Sequence, residues 1–307
     1  MTMDATWEDL DTTLRAAVGV SAPRRETTVD GVRLVFSDEG DGPAPALVCL
    51  HAIGHGGSDF DRVRARWRER RRVLTLDWPA QGRSGPDRLP CSAARCETLL
   101  AGFLDAVGVS RAVILGNSIG GAAALRYAAR APERVVGLIL ENPGGLDRND
   151  DMAARLALGM MTRFFAAGTR GAWWFPAAFA LYYRMVLPRR AAALQRRKIV
   201  AAGRELAPVL LGAWRSFAAP EADTRALAAR VRCPVLVAWA TRDRFVQLRR
   251  ARATIATFPH ARLATFAAGH APHLETPDAF EDELERFLVT VGADAVAEGG
   301  SRLVRAG

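Results

Sequence analysis

A serine flanked by glycines constrains the fold of this chain more than any other feature. The sequence Gly-Asn-Ser-Ile-Gly occupies residues 116–120, directly after the apolar run 113–115 and directly before the alanine-rich segment 121–125. A sharp strand-to-helix turn requires glycines beside the serine, and it places the hydroxyl at a helix N-terminus that favours negative charge. The motif predicts that Ser118 is a nucleophile in a parallel α/β sheet; the alternative interpretation is an ordinary loop with a serine cap.

The remaining pattern agrees with such a sheet, because short apolar runs alternate with longer helical segments. The predicted strands are Val32–Asp38, Ala46–His51, Arg72–Asp77, Ala112–Gly116, Val135–Glu141, Pro234–Ala240 and Ala261–Ala267. The predicted helices are Phe60–Glu69, Cys91–Val107, Ile119–Ala131, Phe245–Phe258 and Pro277–Val291. We therefore expect a mostly parallel central sheet with helices on both faces.

Between residues 144 and 222 the strand signal disappears, and the sequence becomes helical, arginine-rich and aromatic. This change predicts a helical insertion. The expected organisation is a core formed by residues 1–143 and 223–292, a helical unit at 144–222, and a flexible tail at 293–307.

A serine hydroxyl needs a general base, and an acid must orient that base. His270 follows the last predicted strand, in a loop at the sheet edge where Ser118 also lies, with His273 as its competitor. Asp243 follows the preceding strand and is the predicted acid. Two alternatives remain open: Asp243 as a helix N-cap, and Glu141 as the acid.

An oxyanion formed during acyl transfer needs two N–H donors. The expected donors are Ile119, directly after the nucleophile, and Ile53, in the glycine-containing loop that follows the strand ending at Leu50. In that loop His51 is expected to brace the backbone. His55 is either a loop residue without a chemical role or part of the pocket, and His260, outside that loop, is expected to be an exposed turn residue.

Four blocks in this order resemble the α/β-hydrolase superfamily over about residues 28–291, in particular its cap-bearing esterase, C–C hydrolase and haloperoxidase-like branch. The blocks are Leu50-His51-Ala52-Ile53-Gly54, residues 76–84, residues 116–121, and Gly269-His270 with Pro272-His273-Leu274-Glu275. The resemblance implies an α/β-hydrolase fold with a helical cap inserted after the sixth strand. It also implies that residues 77–84 form a structural loop near the rim of the site.

The predicted activity is cleavage of a carboxylic ester of a small or medium apolar substrate through an acyl-enzyme. The alternatives are hydrolytic C–C cleavage of a meta-cleavage type diketone, or a weakly hydrolytic ligand-binding receptor. The expected substrate contacts are aromatic: Trp78, Trp173, Trp174, Tyr182 and Trp214. For the C–C reaction, cap arginines would bind a substrate carboxylate; the candidates are Arg155, Arg163, Arg184 and Arg190.

The net charge of +9 is spread along the chain apart from the arginine run at residues 62–72, which is interpreted as the polar face of a helix. Basic residues are not interleaved with aromatic ones, which argues against nucleic-acid binding. The four cysteines lack metal-ligand spacing and are expected to be reduced, and no cofactor is implied. The acidic N-terminal residues and the lack of a long apolar run predict a cytoplasmic protein without a membrane span. The expected partner is a small-molecule substrate, with a second copy of the chain as a further candidate.

Overall fold

The computed structural model describes residues 23–147 and 152–303. Within these residues, seven strands form one sheet. They are β1 (Arg24–Val29), β2 (Val32–Leu50), β3 (Arg71–Leu76), β4 (Ala112–Asn117), β5 (Val135–Glu141), β6 (Val235–Ala240) and β7 (Ala261–Phe266). Every residue of β4, β5 and β6 is buried, as expected for strands covered by helices on both faces.

The strand order is β1-β2-β4-β5-β6-β7, with β3 paired to β2. Strand β1 runs antiparallel to β2, and the pairs from β2–β4 to β6–β7 are parallel. The carboxyl ends of β4, β5 and β6 therefore lie side by side at one edge of the sheet. These ends carry the residues on which the site depends.

Helices cover the sheet and form a separate layer above this edge. The helices are α1 (Asp61–Trp67), α2 (Ala93–Ala106), α3 (Ile119–Arg130), α4 (Met152–Thr169), α5 (Phe175–Val186), α6 (Ala193–Ala201), α7 (Gly203–Ser216), α8 (Arg225–Ala228), α9 (Leu248–Ile255), α10 (Pro272–Glu275) and α11 (Pro277–Leu303). Helices α4 to α7 form the cap. None of the helices in the described part of the chain has an apolar stretch long enough to cross a membrane.

The cap has its own apolar core, which explains most of its aromatic residues. Phe165, Phe175 and Phe179 are fully buried, and the Phe175 and Phe179 rings stack with centroids 5.3 Å apart. Gly168 and Gly203 lie against these rings, where a Cβ would approach Phe175 and Phe179 to 2.5 Å and 2.4 Å. The cap is therefore held together by aromatic packing around small residues.

Three details differ from the sequence prediction. Residues 32–50 form one continuous strand where two were predicted. The cap follows the fifth described strand, where the resemblance implied the sixth. Helix α11 continues to Leu303, although a flexible tail was predicted from residue 293. Residues 293–298 are rich in alanine, a strong helix former, which accounts for this extension.

Candidate active site

Ser118 occupies a strained turn between β4 and α3. Its backbone has φ 54° and ψ −114°, a conformation that is uncommon for residues with a side chain. A Cβ at Gly120 would lie 2.4 Å from the carbonyl oxygen of Leu50, and a Cβ at Gly116 would lie 2.5 Å from that of Gly120. Only glycine fits at these two positions, so the spacing of the motif is a packing requirement of the turn.

The turn presents Ser118 to a large cavity between the cap and the sheet. The Ser118 N–H donates to the carbonyl oxygen of Glu141 across 2.9 Å, which fixes the turn against β5. The residue is 8% exposed and lines a cavity of about 1370 Å³. The predicted nucleophile thus lies at the wall of the cavity and is almost entirely buried.

His270 and Asp243 form a buried pair at the same edge of the sheet. His270 Nδ1 lies 2.6 Å from Asp243 Oδ2. Asp243 Oδ1 accepts hydrogen bonds from the backbone N–H groups of Phe245 (2.8 Å) and Val246 (3.1 Å). Because an ionised carboxylate can only accept, His270 Nδ1 carries the proton and its Nε2 is left as a proton acceptor.

The electrostatics of the pair make the imidazole of His270 more basic than an ordinary histidine. Burial of His270 opposes its protonation, but the charge of Asp243 and the hydrogen bond to it outweigh this effect, so the pKa of His270 is raised above its ordinary value. An imidazole beside a buried carboxylate is the arrangement that the predicted role of general base requires.

His270 also lines the cavity that Ser118 lines. Asn117, next to the serine, donates from Nδ2 to the carbonyl oxygen of His270 across 3.0 Å. Of the three residues predicted as nucleophile, base and acid, Ser118 and His270 therefore line one cavity, and Asp243 is bound to His270.

Asn142 is a part of this site that the sequence analysis missed. It is fully buried, it directly follows β5, and its backbone has φ 40°. Its Nδ2 donates to Asp243 Oδ2 across 2.7 Å, and its Oδ1 accepts from the Ala240 N–H across 2.7 Å. Asn142 therefore fixes the acid against the end of β6. Its position at the end of a buried strand was the signal that could have identified it.

Glu275 is a second missed residue, and it holds the loop that carries His270. Its Oε1 accepts from the N–H groups of Gly269 (2.8 Å) and His270 (3.0 Å). Its Oε2 accepts from the N–H of Arg189, in the connection between α5 and α6, across 3.1 Å. One carboxylate thus ties the histidine loop to the cap.

His273 and Glu141, the alternatives to the predicted base and acid, are bonded to each other. His273 Nδ1 lies 2.6 Å from Glu141 Oε2, and both residues are buried. The His273 ring stacks on Phe60 with centroids 4.5 Å apart, and neither His273 nor Glu141 lines the cavity. This second histidine–carboxylate pair belongs to the core between β5 and the helices.

The loop predicted to supply an oxyanion donor is braced by the segment that follows β3. His51 Nε2 accepts from the Trp78 N–H across 2.8 Å, so its Nδ1 donates to the Ala52 carbonyl oxygen at 2.7 Å. Burial lowers the pKa of His51, in agreement with a neutral ring. Gln81 Oε1 accepts from the Gly54 N–H across 2.6 Å. His51 therefore has the bracing role that the sequence predicted.

Both predicted oxyanion donors face the catalytic cavity. Ile53 and Ile119 line it, and the Ile119 N–H, at the first position of α3, has no acceptor within its helix. Among the described residues, none accepts a hydrogen bond from the Ile53 N–H. Both predicted donors therefore have a backbone N–H group without an acceptor in the described part of the chain.

His55, in the same loop, is buried and lines the cavity. Its Nδ1 lies 2.6 Å from Asp59 Oδ2, and Gln195 of the cap donates to Asp59 Oδ1. The pair links the loop to the cap.

Histidine, cysteine and acidic residues of the described ranges form no group of three that could hold a metal ion.

Two of the five aromatic residues predicted to contact substrate line the cavity, namely Tyr182 and Trp214. The other three do not. Trp78 is fully buried in the core, where its Nε1 donates to the His51 carbonyl oxygen. Trp173 is 87% exposed at the turn before α5, and Trp174 packs beside the Phe164 ring on the outside of the cap. The sequence reveals aromatic character but not the side of the cap on which a ring lies.

Comparison with known proteins agrees with this geometry. A model of the "Alpha/beta hydrolase family" matches residues 47–283, and the chain belongs to this family. An uncharacterized protein of Mycobacterium tuberculosis is 29% identical over 295 residues, which cover 90% of this chain and 84% of that protein. A 2-hydroxy-6-oxononadienedioate/2-hydroxy-6-oxononatrienedioate hydrolase of Burkholderia vietnamiensis is 38% identical over 120 residues, 37% of this chain and 41% of that enzyme.

A thermophilic esterase from Thermogutta terrifontis has a similar structure. Its TM-score is 0.74 at 23% sequence identity, and the match covers 88% of this chain and 100% of that one. This likeness concerns the fold alone.

Proposed function

We propose that the protein is a serine hydrolase that cleaves carboxylic esters through an acyl-enzyme intermediate. The observation that carries the proposal is the buried His270–Asp243 pair, which opens into the same cavity as Ser118. In the first half-reaction His270 Nε2 removes the proton of the Ser118 hydroxyl as Oγ attacks the ester carbonyl. The oxyanion binds to the N–H groups of Ile53 and Ile119.

The intermediate then collapses and expels the alcohol, which takes the proton from His270. In the second half-reaction His270 activates a water molecule, which releases the carboxylic acid and regenerates Ser118. Asp243 keeps Nδ1 of His270 protonated and stabilises the imidazolium in both steps. Tyr182 and Trp214 line the cavity and supply apolar surface to the substrate.

The test compares Ser118→Ala with a matched control, Ser110→Ala, which changes an exposed serine outside the cavity. Each protein is treated with a fluorophosphonate and assayed on p-nitrophenyl esters of increasing chain length. We expect rapid labelling and turnover by the wild type and by Ser110→Ala, and a loss of at least 10³-fold in Ser118→Ala. Slow labelling of the wild type would instead indicate a weakly hydrolytic ligand-binding receptor.

Hydrolytic cleavage of a C–C bond is the second candidate. It is favoured by the similarity of 120 residues to the hydrolase of Burkholderia vietnamiensis. The same catalytic residues would serve both reactions. Turnover of a meta-cleavage type diketone with little activity on the p-nitrophenyl esters would select this candidate over the first.

A further inference from the structure

The catalytic cavity has a rim of arginine side chains. Arg155 and Arg163 belong to α4, Arg215 to α7, and Arg244 directly follows Asp243. All four arginines line the cavity and are exposed to solvent, whereas Ser118 and His270 are each only 8% exposed. The arginines therefore lie in the exposed part of the cavity wall, whereas Ser118 and His270 lie in its buried part.

Arginines outnumber acidic residues in the cavity lining, seven against three, the acidic residues being Asp147, Glu221 and Asp223. None of the four arginines forms an ion pair with a described residue. The carboxylate of Asp223, which also lines the cavity, is already bound by Arg225, with Arg225 NH2 2.6 Å from Asp223 Oδ2. Four guanidinium groups are thus available to a ligand.

Apolar side chains lie between the rim and the floor of the cavity. Tyr182, Trp214, Phe245 and Met161 all line it, and all are buried or half-buried. Burial raises the pKa of the Tyr182 hydroxyl, so this ring stays neutral and does not offset the charge of the rim. A ligand that fills the cavity would therefore contact apolar side chains near Ser118 and guanidinium groups at the rim.

We propose that the substrate is an ester whose apolar segment ends in an anionic group, and that Arg155, Arg163, Arg215 and Arg244 bind this group at the rim. The proposal rests on the proposed function, because it assumes that Ser118 attacks the ester at the floor. Guanidinium groups bind carboxylate and phosphate oxygens through paired hydrogen bonds. A cluster of like charges at the mouth of a cleft also increases the rate at which oppositely charged ligands enter.

The first experiment compares pairs of p-nitrophenyl esters that differ only in their terminal group. One member is a half-ester of a dicarboxylic acid, and the other carries a neutral carboxamide of nearly the same size at that end. We expect at least one chain length at which kcat/KM is about tenfold higher for the carboxylate at low ionic strength. The preference should decline with added salt, because rim charges are exposed and screened. A phosphate-ended ester distinguishes the two kinds of anion.

The second experiment uses Arg155→Gln, Arg163→Gln, Arg215→Gln and Arg244→Gln. Each should lower kcat/KM for the carboxylate ester about two- to fivefold, mainly through KM, and leave the carboxamide ester unchanged. The matched control is Arg184→Gln, since Arg184 is an exposed cap arginine that lies outside the cavity and was one of the residues considered for this role. Arg190, the other such residue, also lies outside the cavity.

The proposal is overturned if no chain length shows a preference for the anion, or if Arg184→Gln reduces the preference as much as the rim variants do. The second result would mean that the net charge of the protein, and not the rim, attracts the substrate. Both outcomes leave the proposed function intact as long as Ser118→Ala abolishes hydrolysis of the carboxamide esters. Persistent hydrolysis by Ser118→Ala would instead remove the proposed function itself.

Discussion

Replacing Asn142 should damage both the stability of the protein and the orientation of its acid. The Asn142 side chain makes two buried hydrogen bonds of 2.7 Å, one to the carboxylate of Asp243 and one from the N–H of Ala240. A bond to a charged group contributes about 1.5–3 kcal/mol, and a buried N–H left without an acceptor costs about 1–3 kcal/mol. We therefore expect Asn142→Ala to lower the free energy of unfolding by about 3–5 kcal/mol.

The backbone supplies an internal control for this estimate. Asn142 has φ 40°, which costs alanine about 1–2 kcal/mol but is accessible to glycine. Asn142→Gly should therefore be about 1 kcal/mol more stable than Asn142→Ala, although both variants lose the same hydrogen bonds. Urea unfolding followed by tryptophan fluorescence measures both differences.

The catalytic effect should accompany the loss of stability. Without Asn142, Asp243 loses one of the groups that fix its Oδ2, and misplacement of a catalytic group by about 1 Å lowers kcat by about 10²-fold. The assay is turnover of a p-nitrophenyl ester under conditions where the variant is fully folded. An Asn142→Ala protein with wild-type kcat, or one within about 1 kcal/mol of the wild-type stability, would refute the role of Asn142.

Three further perturbations test other parts of the site. Asp243→Asn removes the charge that raises the pKa of His270, so the acidic limb of the kcat/KM–pH profile should move to lower pH. The value of kcat should also fall by about 10⁴-fold. An acidic limb that does not move would contradict the role of Asp243 as the acid. Gly120→Ala places a methyl group 2.4 Å from the Leu50 carbonyl oxygen, so its thermal midpoint should fall by several degrees. Trp214→Ala should raise KM for long-chain esters more than it lowers kcat, because the ring lines the cavity and is not one of the proposed catalytic groups. The assay is run where this variant is folded, since the ring also stacks on Phe165 of the cap.

The strand-to-helix turn shows what local sequence can predict. The start of α3 at Ile119 was predicted correctly, because glycines at 116 and 120 have no alternative in so tight a turn. The juxtaposition of His270 and Asp243 followed from a topological rule, since both residues come directly after parallel strands. Both predictions agree with the structure, because the first depends on steric limits within the turn and the second on the topology of the sheet.

The partners of each polar side chain were not predictable in the same way. Asn142 and Asp243 are 101 residues apart, and His273 and Glu141 are 132 apart. Several histidines and carboxylates at the same edge of the sheet have equivalent sequence contexts. Only the packing of α10 and the loops decides which histidine meets which carboxylate.

Local sequence was sufficient to predict the alternation of strands and helices, the turn at Ser118 and the helical cap. These features depend on periodicity and on the steric limits of a few neighbouring residues. The tertiary structure decided that Tyr182 faces the cavity while Trp78 lies in the core, and that Glu275 joins the histidine loop to the cap. The direction of a side chain and the identity of its distant partners depend on how whole elements pack, and residue type does not encode this packing.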